Sequence, residues 1–411
     1  MRRSNLGLVL RHLRDHGPRS RARIAQETGL NKATVSSLVA ELTDRGLVSA
    51  GELHRGGTAG RPGLIVHLDG RSVCGIGVEL NVDYVAVLVL DLCGAVLFEE
   101  RVGLDVPALG VERTLDEVAR LVRRAVDAAG EQGASPAGVT LAVPGLVQSA
   151  AGVVSLAPNL HWQDVPVLDG LRQRLDLACP MRVENDANLS AIAEWSMGAE
   201  ARTPDLVYLT GEVGVGGGVI SGGRLLSGAD GLSGEVGHLA LGDPAEICGC
   251  GRRGCWETAV GLAALLRAAA DPGDPVRNPA RDLETRLAEV ARRAESGDER
   301  TLAALTSVGT ALGVGASVLI NLVNPRVVVL GGYFAVLGRF LLEPMTAELE
   351  SRVFGPGLAG ARVALSTLGF TAAVRGGAHL ALDAVFDDPT LVPAAGDPAS
   401  SPLTPSSTEI S

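Results

Sequence analysis

Gly234-Glu235-Val236-Gly237-His238, followed by Cys248-Gly249-Cys250-Gly251-Arg252-Arg253-Gly254-Cys255-Trp256-Glu257, is the stretch on which the reading of this chain turns. One imidazole and three thiolates form a closed tetrahedral shell for Zn²⁺. A closed shell leaves no position for water, so a metal held there organises the loop and does no chemistry. The interleaved glycines let the backbone turn tightly around such an ion. The alternative is three free thiols beside an unrelated histidine. Six cysteines in 411 residues do not suggest a disulfide scaffold. Cys74, Cys93 and Cys179 lie in apolar, strand-like runs and read as ordinary buried thiols.

Outward from this stretch, the pattern alternates strands and helices. Residues 73–80, 84–90 and 95–102 read as three consecutive strands with short polar turns. An amphipathic helix follows over 114–129, with Leu115, Val118, Ala119 and Val122 on one face. Then come a strand at 137–143, a Pro-Gly turn, a strand at 181–184 and a helix at 186–197. Strand patterns restart at 206–209 and 217–220. Helices then dominate until an apolar strand at 326–330, which ends in Gly331-Gly332. Such alternation predicts an α/β fold. The two strand-rich starts, near 73 and 206, predict two similar lobes with a cleft between them.

The zinc stretch, Glu184-Asn185-Asp186-Ala187-Asn188 and Pro158-Asn159-Leu160-His161-Trp162 together resemble the ROK family of repressors, open reading frames and sugar kinases. The likeness covers about residues 72–385. It implies a two-lobed actin-like/hexokinase-like fold, with sugar bound in the cleft beside the metal loop. Asp186 matches the family's catalytic base, a carboxylate that deprotonates the attacking sugar hydroxyl. Asn159, Asn185, Asp186, Glu235, His238 and Glu257 match residues that hydrogen-bond sugar hydroxyls. His238 would do so from one ring nitrogen while the other binds zinc.

The phosphate half departs from the family pattern. The kinases' Asp-x-Gly-Gly-Thr turn corresponds here to Glu79-Leu80-Asn81-Val82-Asp83. Side chains at Asn81 and Val82 obstruct close backbone approach to phosphate, and the Asp83 carboxylate would repel it. A second glycine loop, with Thr210, Gly211, Gly214 and Gly216, is retained, yet Glu212 adds negative charge to it. Gly331-Gly332 retains room to pass under an adenine.

The amino-terminal segment has a different character. Leu6, Val9, Leu10 and Leu13 share one helix face, and Gly17-Pro18 ends that helix. Ser20 reads as the N-cap of a short helix over 21–28. Gly29-Leu30 turns the chain, and Asn31 caps a third helix with Val35, Leu38, Val39 and Leu42 on one face. This is a helix-turn-helix. Its third helix presents Asn31, Lys32, Thr34, Ser36 and Ser37 for the major groove. Lys32 is the only lysine in the chain. Residues 49–68 read as a two-stranded wing whose Gly/Pro-framed tip offers Arg61 to a minor groove. Residues 1–71 carry twelve Arg/Lys against six Asp/Glu, a net of +6, while the remainder carries −17. A basic head on an acidic body restricts nucleic-acid binding to the head.

These readings divide the chain into a winged helix-turn-helix (1–71), a first lobe (72–195 with 371–385), a second lobe with the zinc loop (196–370) and a disordered tail (386–411), rich in Pro, Ser, Thr, Ala and Asp. The expected function is a sugar-responsive transcription regulator, a repressor that binds double-stranded operator DNA as a homodimer or higher homo-oligomer. It holds structural zinc and does not use ATP. An active, glucokinase-like sugar kinase with an appended DNA-binding domain is the alternative. A zinc-stabilised protein-binding platform without ligand is the third reading. No run reaches the roughly 18–20 uncharged apolar residues of a membrane span, and no apolar signal core opens the chain, so a soluble, cytoplasmic protein is expected.

Overall fold

The computed structural model describes residues 1–51, 64–355 and 360–394. The wing tip with Arg61 therefore lies outside the described residues, as do 395–411.

In the head, α1 (Arg2–His16) buries Leu6, Val9, Leu10 and Leu13. A two-residue strand β1 (Arg19–Ser20) leads into α2 (Arg21–Thr28). The Ser20 hydroxyl accepts the Arg23 N–H at 3.3 Å, and Gly29 ends the helix at φ 73, a left-handed turn that favours glycine. The Asn31 side chain accepts the Thr34 N–H at 2.7 Å and opens α3 (Lys32–Asp44). The wing strands β2 (Val48–Gly51) and β3 (Ile65–Leu68) pair antiparallel, with β1 on the other edge of β3.

The first lobe begins with β4 (Val73–Leu80), β5 (Tyr84–Asp91) and β6 (Val96–Gly103). It continues through α4 (Val106–Glu131), β7 (Ser135–Val143), the short strands β8 (Leu146–Gln148), β9 (Val153–Ala157) and β10 (Trp162–Val165), then α5 (Val167–Arg172), β11 (Met181–Asn185) and α6 (Asp186–Met197). The second lobe contains β12 (Leu206–Gly211), β13 (Val215–Ser221), β14 (Arg224–Leu225), α7 (Glu257–Val260), α8 (Leu262–Ala269), α9 (Leu283–Glu295), α10 (Glu299–Val323), β15 (Val327–Gly331), α11 (Gly332–Val336), α12 (Gly338–Arg352) and β16 (Arg362–Leu365). The last helix, α13 (Ala372–Asp387), returns to the first lobe, where it lies against β4, β7 and α6.

The two large sheets repeat one topology, β11-β7-β4-β5-β6 and β14-β13-β12-β15-β16. Each starts with two antiparallel hairpin steps, β4-β5-β6 or β12-β13-β14. Each then adds two parallel strands on the other side of the first strand. This is the expected pair of similar lobes. The strands of β4 and β12 are buried along their whole length, as central strands covered on both faces must be.

Several sequence expectations need correction. The helix expected over 114–129 lies in a longer helical segment, whose short first turn, capped by Asp105, is set off from the rest by a kink at Gly110, where φ 74 and ψ 173 are non-helical. The segment between 143 and 181, read as one turn and a connection, holds a separate three-stranded sheet, β10-β9-β8. Cys93 is exposed at the end of β5 and Cys179 is half-buried, so of the three cysteines outside the zinc stretch only Cys74 is fully buried. The body extends past 385, since α13 continues to Asp387 and a short turn follows at Pro389–Leu391. The described residues of the supposed tail hold the head: the Arg11 guanidinium donates to the Phe386 carbonyl at 3.0 Å and that of Arg45 to the Val392 carbonyl at 2.5 Å.

The head shares its core with the body. Leu6, Leu10 and Leu13 belong to one apolar cluster with Leu88 and Leu90 of β5 and Leu382, Val385 and Phe386 of α13. A Cβ on Gly7 would sit 2.8 Å from the Phe386 carbonyl oxygen, so α1 lies directly on the end of α13. In the second lobe, α10 is long and apolar enough by length and composition to cross a membrane. It is instead a core helix, burying Leu305, Val308, Leu312, Ala316 and Ile320.

Candidate functional site

The cleft between the lobes has an open volume of about 870 Å³, solvent included. Each family-matched position reaches it: Asn159, Asn185, Asp186, Glu235, His238 and Glu257 all line this cleft. Asp186 is the first residue of α6, where the helix N-terminus favours a carboxylate. It accepts the Ala187 N–H at 2.9 Å. Burial pushes its carboxyl above the usual range, and the Ala187 N–H partly offsets this. Glu235 is driven up to about 7 by burial, with Asp186 and Glu257 adding repulsion.

Asn185 plays a structural part. Its side-chain oxygen accepts the Asn188 N–H at 3.0 Å, capping α6, and its amide donates to the Gly145 carbonyl at 3.0 Å. Glu184 is the residue that sequence reasoning quoted but did not assign. It accepts the Asn185 N–H at 2.9 Å and the Asn188 amide at 3.1 Å on one oxygen, and the Ser149 hydroxyl at 2.9 Å on the other. It thereby ties the small sheet to the start of α6. Its place inside Glu-Asn-Asp-Ala-Asn was the available signal.

Beside the cleft, one ligand atom from each of His238, Cys248, Cys250 and Cys255 lies within 4.8 Å of the others. The Cys250 and Cys255 sulfurs are 3.7 Å apart, and Cys248 Sγ is 3.8 Å from His238 Nδ1. Tetrahedral zinc with metal–sulfur bonds of about 2.3 Å sets such edges at roughly 3.5–3.8 Å. The donor set therefore fits the ion. His238 turns Nδ1 to the sulfurs and Nε2 toward Glu235, at 3.9 Å. Glu257 touches both environments, with one oxygen 3.2 Å from Cys248 Sγ and the other accepting the Val215 N–H at 3.1 Å. Trp256 anchors the loop in the second-lobe core. It is fully buried, its indole donates to the Ala311 carbonyl at 2.9 Å, and Gly315 of α10 leaves room for its ring.

On the side of the cleft where the family resemblance predicted phosphate, the protein's own side chains meet one another. The Asn81 amide donates to Glu212 at 2.9 Å, joining the end of β4 to the end of β12 across the cleft. It also lies 3.1 Å from the Tyr84 hydroxyl, which donates to Glu79 at 2.5 Å. Glu79 is only 2% exposed. Burial raises the Glu79 carboxyl, and burial together with Glu79 and Asp186 raises that of Glu212 well above the usual range. Arg101, stacked on the Tyr84 ring at 3.7 Å, is the cation that draws both back. Val82, Thr210, Gly214 and Gly216 line the cleft as expected. Asp83 does not line it. It is exposed in the β4–β5 turn, so the repulsion assigned to it belongs to Glu212. Gly211 and Gly331 are packing glycines: added Cβ atoms would meet the Tyr333 and Phe334 rings and the Tyr208 hydroxyl, respectively.

On the head, Asn31, Lys32 and Ser37 are exposed at the amino half of α3, while Thr34 and Ser36 are half-buried. The Arg2 guanidinium pairs with Glu41 of α3 at 2.6 Å and reaches Ser37 at 3.5 Å.

Residues 75–384 match the ROK family model and residues 7–61 match the MarR family model. The xylose repressor of Caldicellulosiruptor bescii is 30% identical over 385 residues, covering 92% of this chain and 94% of that protein. Among solved structures, a ROK family transcriptional regulator, homologous to E. coli MLC protein, superposes with a TM-score of 0.75 at 23% identity, over 94% of this chain and 97% of its own. A ROK family glucokinase from Streptomyces griseus, solved with glucose and AMPPNP, has a TM-score of 0.63 at 28% identity, over 75% of this chain and 99% of its own. The fold thus has its counterpart in known proteins, and the chain belongs to the ROK family.

Proposed function

We propose that this protein is a sugar-responsive transcription repressor, whose operator affinity changes when a sugar occupies the cleft. The observation that carries this reading is the asymmetry of the cleft. Its sugar-facing side chains converge, while Asn81 and Glu212 fill the side a nucleotide's phosphates would need. Likeness to a xylose repressor over nearly the whole chain supports the same reading. In it, Asn159, Asp186, Glu235, His238 and Glu257 hydrogen-bond sugar hydroxyls, and Asn185 holds α6 in place beneath them. Zinc, held by His238, Cys248, Cys250 and Cys255, fixes the loop that presents Glu235, His238 and Glu257. Lys32 and its neighbours on α3 contact operator DNA, with Arg61 in the minor groove. Two copies of the head read two half-sites, so the protein acts as a homo-oligomer.

The kinase reading has two observations in its favour, the position of Asp186 in the cleft and the likeness to a ROK family glucokinase. Phosphoryl transfer depends mainly on positioning and charge stabilisation around the phosphates. General-base catalysis contributes only about 10²–10⁴-fold. Asp186 therefore does not rescue a site whose phosphate side is occupied and acidic. The test measures operator affinity across a panel of sugars and, in the same samples, ATP consumption. A sugar-dependent change in operator affinity without ATP turnover is expected. Robust sugar phosphorylation, lost in Asp186→Asn, would promote the kinase.

A further inference from the structure

We propose that the junction between head and body holds a second ligand site, which takes a small zwitterion with an apolar side chain, an α-amino acid of the leucine or phenylalanine type. The site is separate from the sugar cleft and does not depend on the reading of that cleft. A cavity with an open volume of about 800 Å³, solvent included, lies where α1 meets the body. Its walls come from α1, the end of β5 with the turn after it, the end of α6 with the loop after it, and α13. Two cations and two carboxylates line it, Arg14 and Asp15 from the head and Asp91 and Arg202 from the body. Asp383 backs Arg14 at 3.4 Å from outside the lining. The rest of the wall is largely apolar, with Leu90, Leu92, Met197, Leu382 and Phe386.

The charged groups of this lining keep bonding capacity to spare. A single oxygen of Asp15 meets both Arg14 Nε, at 2.8 Å, and Arg202, at 3.1 Å. A single oxygen of Asp91 accepts the Cys93 and Ala95 N–H groups at 2.8 and 2.7 Å. Among the described residues, the second oxygen of each carboxylate and two of the three guanidinium nitrogens of Arg202 have no partner. Burial, with Arg14 next, pulls the Arg202 guanidinium below its usual range, so a further carboxylate is what it lacks. Both guanidinium groups are held in place on rings, Arg14 on Phe386 at 4.7 Å and Arg202 on Trp195 at 4.6 Å. Arg202 also keeps a left-handed backbone, φ 64, with its N–H on the Trp195 carbonyl at 2.7 Å, a conformation that residues with side chains rarely adopt away from functional positions. His379, 8% exposed, lines the same cavity, and its Nε2 has no hydrogen-bond partner. Balanced charges beside an apolar wall suit a ligand that carries both signs. Its carboxylate serves Arg202, its ammonium serves Asp15 and Asp91, and its side chain covers the leucines, Met197 and Phe386. A simple acid would leave the aspartates without a counterpart, and a simple amine would leave Arg202 without one.

The experiment is calorimetric titration of the purified full chain with leucine, methionine and phenylalanine. Each is set beside the amine that lacks its carboxylate and the acid that lacks its ammonium, and glycine serves as the member without an apolar side chain. At least one of the three amino acids is expected to bind, with its single-charge analogues and glycine weaker by about tenfold or more. Location is read in the same samples from Cys93, which is exposed on the lining. Its alkylation, followed by peptide mass mapping, is expected to slow when the amino acid is bound. Arg202→Ala is expected to weaken the amino acid by about tenfold, and the analogue comparison does not depend on that variant folding. Failure of all three amino acids to bind would overturn the site. Single-charge analogues that bind as tightly as their parent would overturn zwitterion recognition. Binding that leaves Cys93 alkylation unchanged, or that is unaltered in folded Arg202→Ala, would overturn its placement at the junction. None of these results touches the sugar cleft, which stands or falls on the operator's response to sugars.

Discussion

Replacing Arg202 with alanine tests how the cleft is connected to the DNA-binding head. Helix α6 begins at Asp186, on the cleft floor, and ends at Met197. At 1.5 Å per residue it spans roughly 18 Å. The loop that follows carries Arg202, whose guanidinium stacks on Trp195 at 4.6 Å and pairs with Asp15 of α1 at 3.1 Å. Alongside, α6 lies so close to α13 that a Cβ on Gly376 would sit 1.9 Å from the Leu189 carbonyl oxygen, and α13 in turn supports α1. A shift of α6 on sugar binding therefore reaches the head both through packing and through Arg202. The Arg202 and Asp15 side chains are 29% and 31% exposed. A pair of that kind contributes about 0.5–1 kcal/mol, and the stacking a similar amount. Removing both costs about 1–2 kcal/mol, or roughly 5–30-fold in coupling. The assay is operator binding by fluorescence anisotropy, with and without effector, using an operator fragment obtained by in vitro selection. In Arg202→Ala the sugar affinity of the DNA-free protein should stay at the wild-type value, while the ratio of operator affinities without and with sugar falls by that factor. Linkage requires the operator's effect on sugar affinity to fall equally. A wild-type ratio in the variant would refute the proposed connection.

Three further outcomes follow from other parts of the molecule. Lys32→Ala should weaken operator binding, leave sugar affinity unchanged and reduce the slope of log affinity against log salt by about one unit; an unaltered slope removes Lys32 from the phosphate contacts. Elemental analysis of the wild type should give one zinc per chain, and Cys250→Ser should lose it and weaken sugar binding while the second-lobe core around α10 stays folded; zinc-free wild-type protein with full sugar affinity would defeat this. His379 lies buried among Arg14 and Asp15 of α1, Arg202 and Asp383, and burial, then Arg14 and Arg202, hold its pKa down to about 3. Because the unfolded imidazole takes up its proton first, stability is complete above about pH 6.5 and is lost as pH falls toward 3, at up to about 1.4 kcal/mol per pH unit. His379→Gln should flatten urea-denaturation midpoints measured between pH 7.5 and 5; an unchanged pH dependence would mean that other groups set it.

What was legible in the sequence depended on the range of the interactions involved. The extent of α6, the strand β4 and the capping residues Ser20 and Asn31 are local matters of periodicity and cap chemistry, and they emerge from the residues directly. The clustering of His238, Cys248, Cys250 and Cys255 was legible because the four side chains are close in sequence. The sheet β10-β9-β8 was not. Its strands are three to five residues long and are separated by positive-φ residues Gly152 and His161, so no alternation builds up. The end of the body was misplaced for a different reason. Composition after 386 looks disordered, yet the chain there is held by Arg11 and Arg45, more than three hundred residues away in sequence. The same long-range contacts join the head's core to β5 and α13, which nothing local in either segment announces. Asp83 was mistaken for a cleft residue because a motif alignment gives position along the chain and not direction of the side chain.

The bond between Asn81 and Glu212 bears on how a kinase-like fold can serve as a sensor. In a two-lobed fold of this kind, ligands influence lobe arrangement only as far as they bind one arrangement better than another. A nucleotide lying across the cleft touches both lobes and is one way to bias them. Here the amide at the end of β4 reaches the carboxylate at the end of β12 directly, at 2.9 Å, so the two first strands of the repeated sheets are already joined at the point a phosphate would bridge. The residues proposed to face sugar are likewise divided between the lobes, with Asn159 and Asp186 on one side and Glu235, His238 and Glu257 on the other. A sugar that engages both sets can therefore select a closed arrangement alone, without a second ligand. On the proposed reading, the Asn81 side chain that stands where phosphate would bind also supplies a contact between the lobes. On this reasoning Asn81→Gly, which removes that contact, should weaken sugar binding and sugar-dependent operator response together, whereas Arg202→Ala should separate them.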